Sequence, residues 1–161
     1  MRRQNRQVTE ITEIKQILNE IKVARLGMFD GKQVYVVPLN HGYEMEEEKI
    51  IFYLHCAKVG RKVEILKENP NVCIELDGRH ELMTAEAPCD HSYYYASLIG
   101  NGEVQFVDDF AEKAHALEVV MKHQTGKTQW QFDEKWVNAV CVIKIELTDY
   151  TVKQHKAGMR K

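Results

Sequence analysis

The chain has no apolar run approaching the roughly 20 residues that a membrane-spanning helix needs. Its opening residues, Met1-Arg2-Arg3-Gln4-Asn5-Arg6-Gln7, lack the apolar segment of a secretory signal, so a cytoplasmic protein is expected. The four cysteines form no CxxC pair, which removes the zinc knuckle and the dithiol redox motif from consideration. Cys56, Cys73 and Cys141 sit in apolar, strand-like sequence, where cysteine commonly acts as a small hydrophobe. Cys89, beside a proline in a loop, is the thiol expected at the surface. His41, His80, His91, His115 and His123 share no metal-ligand spacing with cysteines or acids, and no metal is expected. Nor does one sign of charge dominate: 29% of the residues are charged, yet the net charge is -2, which argues against nucleic acid or an anionic membrane as the main partner. Internal repeats and low-complexity segments are also missing.

What is present is enough apolar sequence, 44% of 161 residues, for one domain spanning 1–161 with a substantial core. Thr9 and Thr12 are possible N-caps of a first helix, whose Ile11, Ile14, Ile17, Leu18 and Ile21 form an apolar stripe ending near Lys22. Val23 to Phe29 reads as a strand, Asp30-Gly31 as a hairpin turn, and Gln33 to Leu39 as its partner. Glu44 to Lys49 is expected as a charged loop and Ile50 to His55 as the next strand. A short helix over Gly60 to Glu68 stops at Asn69-Pro70, and Val72 to Leu76 resumes the sheet. Asp77 to Asp90 reads as a polar connection with a short edge strand at Leu82 to Ala85. Tyr94 to Val107 is a long strand whose Gly100 and Gly102 mark a bulge or a close approach of backbone or ligand. Asp108-Asp109 can cap a helix from Phe110 to Gln124 with Ala114, Leu117, Val120 and Met121 facing inward; Thr125 to Lys135 is a loop and Val137 to Leu147 a final strand. About six strands joined mostly by hairpins, with three helices, predict a mainly β, α+β architecture: a small antiparallel barrel with helices outside. A doubly wound parallel sheet would need helices after Phe29 and after Leu39, where none is predicted.

The most informative stretch is His55-Cys56-Ala57-Lys58-Val59-Gly60-Arg61-Lys62, where a strand passes into a helix. Three cations gather at a helix N-terminus, whose free N–H groups and dipole already favour an anion. Arg61 and Lys62 would oppose the macrodipole unless something negative lies beside them. The stretch is either a phosphate seat or a solvated basic turn.

Four blocks carry a family resemblance: Met1-Arg2-Arg3 with an early helix, Arg25-Leu26-Gly27-Met28, Val36 to Tyr43, and Phe52 to Lys62. Asn69 to Cys73 and Tyr94 to Gly102 fit the same pattern. The sequence resembles the FMN-binding split-barrel proteins related to pyridoxamine 5'-phosphate oxidase, and in particular their nitroimidazole-resistance (Nim) branch. The resemblance implies a six-stranded antiparallel split β-barrel with flanking helices, acting as a homodimer with FMN in clefts between protomers. It implies that Lys58, Arg61 and Lys62 hold the phosphate, with His55, Cys56 and Ala57 in the same loop. Val37, Pro38, Leu39 and Asn40 would run along the isoalloxazine, and Ser97 and Gly100 would approach from the other subunit or the cleft wall. Where the branch commonly has an aromatic, this chain has His41, which would make the surface facing the ring more polar.

His55 is the candidate catalytic residue, able to protonate or hydrogen-bond a substrate oxygen beside a flavin; the alternative is a structural histidine bridging strand and loop. Tyr93-Tyr94-Tyr95 reads as interface packing, and Trp130 and Trp136 as loop or interface anchors. The basic tail from His155 to Lys161 would either fold over the cleft or fray. The expected activity is reduction of small nitroaromatic compounds by an FMN-dependent oxidoreductase. The alternatives are a pyridoxamine 5'-phosphate oxidase-like enzyme, which needs a second phosphate site that no further Arg/Lys cluster supplies, and a non-catalytic flavin- or haem-binding module with His55 or His155 as axial ligand.

Overall fold

Alternation of buried and exposed side chains builds the first hairpin. Along Val23–Phe29 (β1), Ala24, Leu26 and Met28 are buried while Arg25 and Phe29 are exposed, the period of a strand with one face on a core. Asp30 makes the turn: its Oδ1 accepts the backbone N–H groups of Lys32 and Gln33 at 2.9 and 2.8 Å, and Gly31 takes φ 88°, a left-handed value suited to glycine. The chain returns as Val34–Glu46 (β2), turns at Glu47-Glu48, and continues as Lys49–Ala57 (β3). The computed structural model describes residues 3–159; Met1 and Arg2 of the first sequence block, and Arg160 and Lys161 of the basic tail, lie outside the described residues.

The helix Ile11–Glu20 (α1) precedes β1, and Arg61–Glu68 (α2) joins β3 to Asn71–Met83 (β4). Then come Ser92–Val107 (β5), Phe110–Thr125 (α3), Glu134–Ala139 (α4), Val140–Leu147 (β6) and Asp149–His155 (β7). All strand pairings are antiparallel, and six strands close a ring in the order β1, β2, β3, β6, β5, β4. The expected split barrel is present, with a seventh strand, β7, added along Tyr95 to Asn101 of β5. Leu26, Phe52, Leu54, Ile74, Leu76, Leu98, Ile143 and Ile145 fill the ring, and Ile14, Ile17 and Leu18 of α1 join them. A second, smaller cluster lies under α3, where Ala116 and Val120 cover Ile51, Tyr53 and Val142.

Several expectations are corrected. Neither Thr9 nor Thr12 caps α1; Glu10 occupies the N-cap and makes no side-chain cap bond. The charged segment from Glu44 to Lys49 is mostly strand, with the turn confined to Glu47, at φ 54°, and Glu48. The connection expected from Asp77 is β4 itself as far as Met83, interrupted by a bulge between Gly78 and Glu81 where Arg79 has φ 57°. The start of the expected last strand is α4. On α3 the buried residues are Lys113, Ala116, Val120 and His123, so of the four expected inward residues only Val120 is fully buried. The beginning of the basic tail is β7: His155 is 1% exposed, with Nδ1 2.8 Å from the Tyr93 carbonyl.

Gly42 fixes how closely α3 can approach the sheet. A Cβ there would lie 2.6 Å from the backbone of Val119 and Val120. Gly42→Ala is therefore expected to push α3 off β2 and destabilise the fold by about 3 kcal/mol, read as a lowered denaturation midpoint with an unchanged m-value.

Candidate functional site at the split of the barrel

Two strands part company at His41. β2 pairs with β1 through Val34 to Asn40 and with β3 only from His41 to Glu46. Extending that register would set Asn40 against His55, Leu39 against Cys56 and Pro38 against Ala57, but the pairing stops at His41 and Leu54. Pro38 has no N–H to give such a ladder. The β2 edge from Val37 to Asn40 is thus released from β3, while His55, Cys56 and Ala57 continue to pair with β6. This seam is the split in the barrel, with backbone donors and acceptors along one side.

The other side of the seam leads to the cationic corner. Gly60 precedes α2 with φ 131°, and its carbonyl takes the N–H groups of Val63 and Glu64. No side chain caps this end, so the first N–H groups of the helix point outward. Arg61 reaches back to the first hairpin: its Nη2 lies 3.0 Å from Asp30 Oδ2 and its guanidinium 4.3 Å from the Tyr35 ring centre. Asp30 is held down to about 2, first by the N–H groups of Gln33 and Lys32 and then by Arg61, so it is ionised at any working pH. Asp30 and Tyr35 are the partners that sequence reasoning missed. The signal for Asp30 was read only as a turn, and a strand tyrosine carries no mark of the cation it will meet.

Lys58 and Arg61 do not converge on a single point. Lys58 lines a cavity with Lys67 and Lys113, whereas Arg61 faces Asp30 and Tyr35. His55 is exposed, and partial desolvation, followed by the nearby Lys62 ammonium, lowers its pKa, so its imidazole is neutral at pH 7. Tyr35, Val37 and Leu39 pack on the core while Val34, Val36, Pro38 and Asn40 face out. The Asn40 side chain is already engaged, with Nδ2 3.1 Å from Gln124 Oε1. Ser97 and Gly100 lie on β5, opposite β2 in the order of the ring. Gly100 is small because a Cβ there would meet Leu147 and Tyr150 at 2.7 and 2.9 Å.

His41 does not face a ligand. It is fully buried at the base of the seam, edge-on to Phe52, and its Nε2 shares the Ile21 carbonyl with that of His123 at 3.0 and 3.1 Å. Gln124 ties the same corner together by donating to the carbonyls of Lys22 and His41 at 2.9 and 2.8 Å.

The family described as pyridoxamine 5'-phosphate oxidase matches residues 10–154. The chain belongs to this family, in its nitroimidazole-resistance type. Among solved structures it resembles a candidate 5-nitroimidazole antibiotic resistance protein from Bacteroides thetaiotaomicron VPI-5482, at 33% identity over 92% of this chain and 86% of that one, with a TM-score of 0.79. The fold is shared with the flavocytochrome Anf3 from Azotobacter vinelandii (18% identity, 94% and 70% of the chains, TM-score 0.74). It is also shared with the FAD and heme binding protein from Mycobacterium smegmatis (13% identity, 97% and 76%, TM-score 0.77). No curated protein matches the chain. Among the described residues no helix is long and apolar enough to cross a membrane.

Proposed function

We propose that this single-domain chain is a cytoplasmic flavoprotein that binds FMN in the seam as a homodimer and reduces small nitroaromatic compounds of the 5-nitroimidazole type. The observation that carries the reading is the meeting of a strand edge freed from its neighbour with a cation-bearing helix N-terminus. A planar heterocycle needs backbone donors and acceptors to lie against, and a phosphate needs cations and N–H groups; here the freed edge lies opposite the end of β3, which leads into α2. Val37, Leu39 and Asn40 would present their backbone to the ring, and Arg61 and Lys62, with the first N–H groups of α2, would hold the phosphate. Bound flavin supplies hydride transfer, while the protein positions the reactants. Ser97 and Gly100 would then contact the ring from the partner subunit. The relatives named for nitroimidazole resistance and for FAD binding support the reading.

The two alternatives fare less well. An oxidase acting on a phosphorylated substrate needs a second phosphate seat, but Arg25 is paired with Glu75 and Asp77, and Arg79 forks onto Glu20 with two 2.6 Å bonds. Haem ligation by His155 would require opening the end of β7, where that ring is enclosed by Tyr94 and Tyr95.

The visible spectrum of the purified protein, before and after a nicotinamide donor and with and without a nitroimidazole, tests the proposal. Flavin bands that bleach with donor and recover with nitroimidazole are expected; a colourless protein that rejects added FMN, or a Soret band, overturns it. His55→Ala is expected to retain flavin and slow nitro-compound turnover about tenfold. That is the scale of one hydrogen bond from a neutral imidazole to a substrate oxygen. Unchanged turnover assigns His55 a structural role.

A further inference from the structure

Cys56 of β3 stands directly opposite Cys141 of β6 in the antiparallel ladder. Directly opposed residues share a face, and their Cα separation, roughly 4.5–5.5 Å, falls inside the range a disulfide spans. Cys56 continues the inward row of Phe52 and Leu54 and is half-buried, as is Cys141; both are free thiols. Cys141 lines a cavity of about 450 Å³ together with Lys58, Lys67, Lys113 and Asp108, which gives a small polar reagent a route to the sulfur. Lys113 is only 8% exposed and has no carboxylate partner among the described residues.

We propose that Cys56 and Cys141 are a peroxide-oxidisable dithiol that closes to an intramolecular disulfide. One thiol of the pair, as its thiolate, attacks one oxygen of a hydroperoxide and the O–O bond breaks, leaving a sulfenic acid and a hydroxide or alkoxide, which takes up the proton that thiol gave off and leaves as water or an alcohol. The sulfur of the opposed cysteine then attacks that sulfur, and the departing hydroxide takes the second thiol's proton as water. Two electrons pass from the thiol pair to the peroxide, and one S–S bond forms. Burial first, then the charge of Cys56 and a hydrogen bond with it, raise the Cys141 pKa, against the opposing pull of Lys113 and Lys62. The bridge would pin the end of β3 to β6, beside the loop leading to the cationic corner, and close a loop of about 85 residues. It stands whether or not the seam holds a flavin.

The test uses the full chain, reduced, desalted and exposed to a few equivalents of hydrogen peroxide. Free thiols, counted in denaturant, are expected to fall from the four of the sequence to two. Peptide mapping should return Cys56 joined to Cys141, and the melting temperature should rise by about 5–10 °C. Cys89→Ser should behave as wild type. Cys56→Ala and Cys141→Ala should each give no internal bridge. Wild-type protein in which Cys89 oxidises while the opposed pair stays reduced overturns the proposal, as does a bridge through any other cysteine.

Discussion

Arg61→Ala is expected to weaken FMN binding roughly 10- to 150-fold, because a charge-assisted bond to a phosphate contributes about 1.5–3 kcal/mol. In the structure Arg61 is held by the Asp30 carboxylate and the Tyr35 ring, so its position is set before any ligand arrives. The ion pair does not block the seat. Arg61 is 46% exposed at its side chain, where such pairs contribute at most about 1 kcal/mol, and only one guanidinium nitrogen is engaged by Asp30. A phosphate carries more charge than a carboxylate and can use the remaining donors. Asp30→Asn, which keeps the turn-forming oxygen, should change the dissociation constant less than about fivefold. Arg61→Lys should not rescue binding, since an ammonium neither forks onto a phosphate nor stacks flat on Tyr35. Flavin fluorescence titration measures all three variants. An Arg61→Ala protein that keeps its flavin through gel filtration would remove the corner from the binding site.

The elements that frame the seam were legible because their ends are chemically marked. Asp30-Gly31 sets the first hairpin and Asn69-Pro70 stops α2. The strand β7 carried no such mark: its buried residues are Val152, Gln154 and His155, so burial does not follow apolarity, and the basic residues beyond it suggested a tail. The face of α3 was misjudged for the same reason, since Lys113 and His123 are buried polar groups that a hydrophobic pattern assigns to solvent. The extension of β4 was hidden by Gly78 and Arg79, which read as a loop but form a bulge. At the site, the row of cations could be read from the sequence, whereas the divergence of Lys58 and Arg61 could not. Lys58 turns to a cavity shared with α3 and Arg61 to a hairpin 31 positions earlier, contacts that only the closed barrel creates. His41 marks the limit of reasoning by resemblance: its polarity suggested a ligand-facing group, but the side chain serves the corner where the barrel opens.

That corner should make the fold acid-sensitive. Burial, then the proximity of His123, pushes the His41 pKa down to about 3, against a smaller upward pull from the Ile21 carbonyl. His123 is lowered as well, mainly by burial. Both rings offer Nε2–H to one carbonyl, and His41 Nδ1 is buried with no hydrogen-bond partner, so a second proton would be stranded away from water. In the unfolded chain both rings take up protons near pH 6.5, while the folded chain refuses them. The unfolded state therefore binds more protons, and stability, complete above pH 6.5, falls as the pH drops below it. The slope is about 1.4 kcal/mol per pH unit for each histidine kept neutral, and for His41 alone it would reach about 5 kcal/mol near pH 3. Depressed carboxylates such as Asp30 lose their contribution only below about pH 4, so the range from pH 6.5 to 5 isolates the imidazoles. His41→Phe, which keeps a ring against Phe52, should reduce the slope there. Relative to its own stability at pH 7.5, it should lose about 2 kcal/mol less than wild type at pH 5. Urea denaturation at several pH values reads both quantities, and an unaltered slope in the variant would show that the acid sensitivity arises elsewhere in the protein.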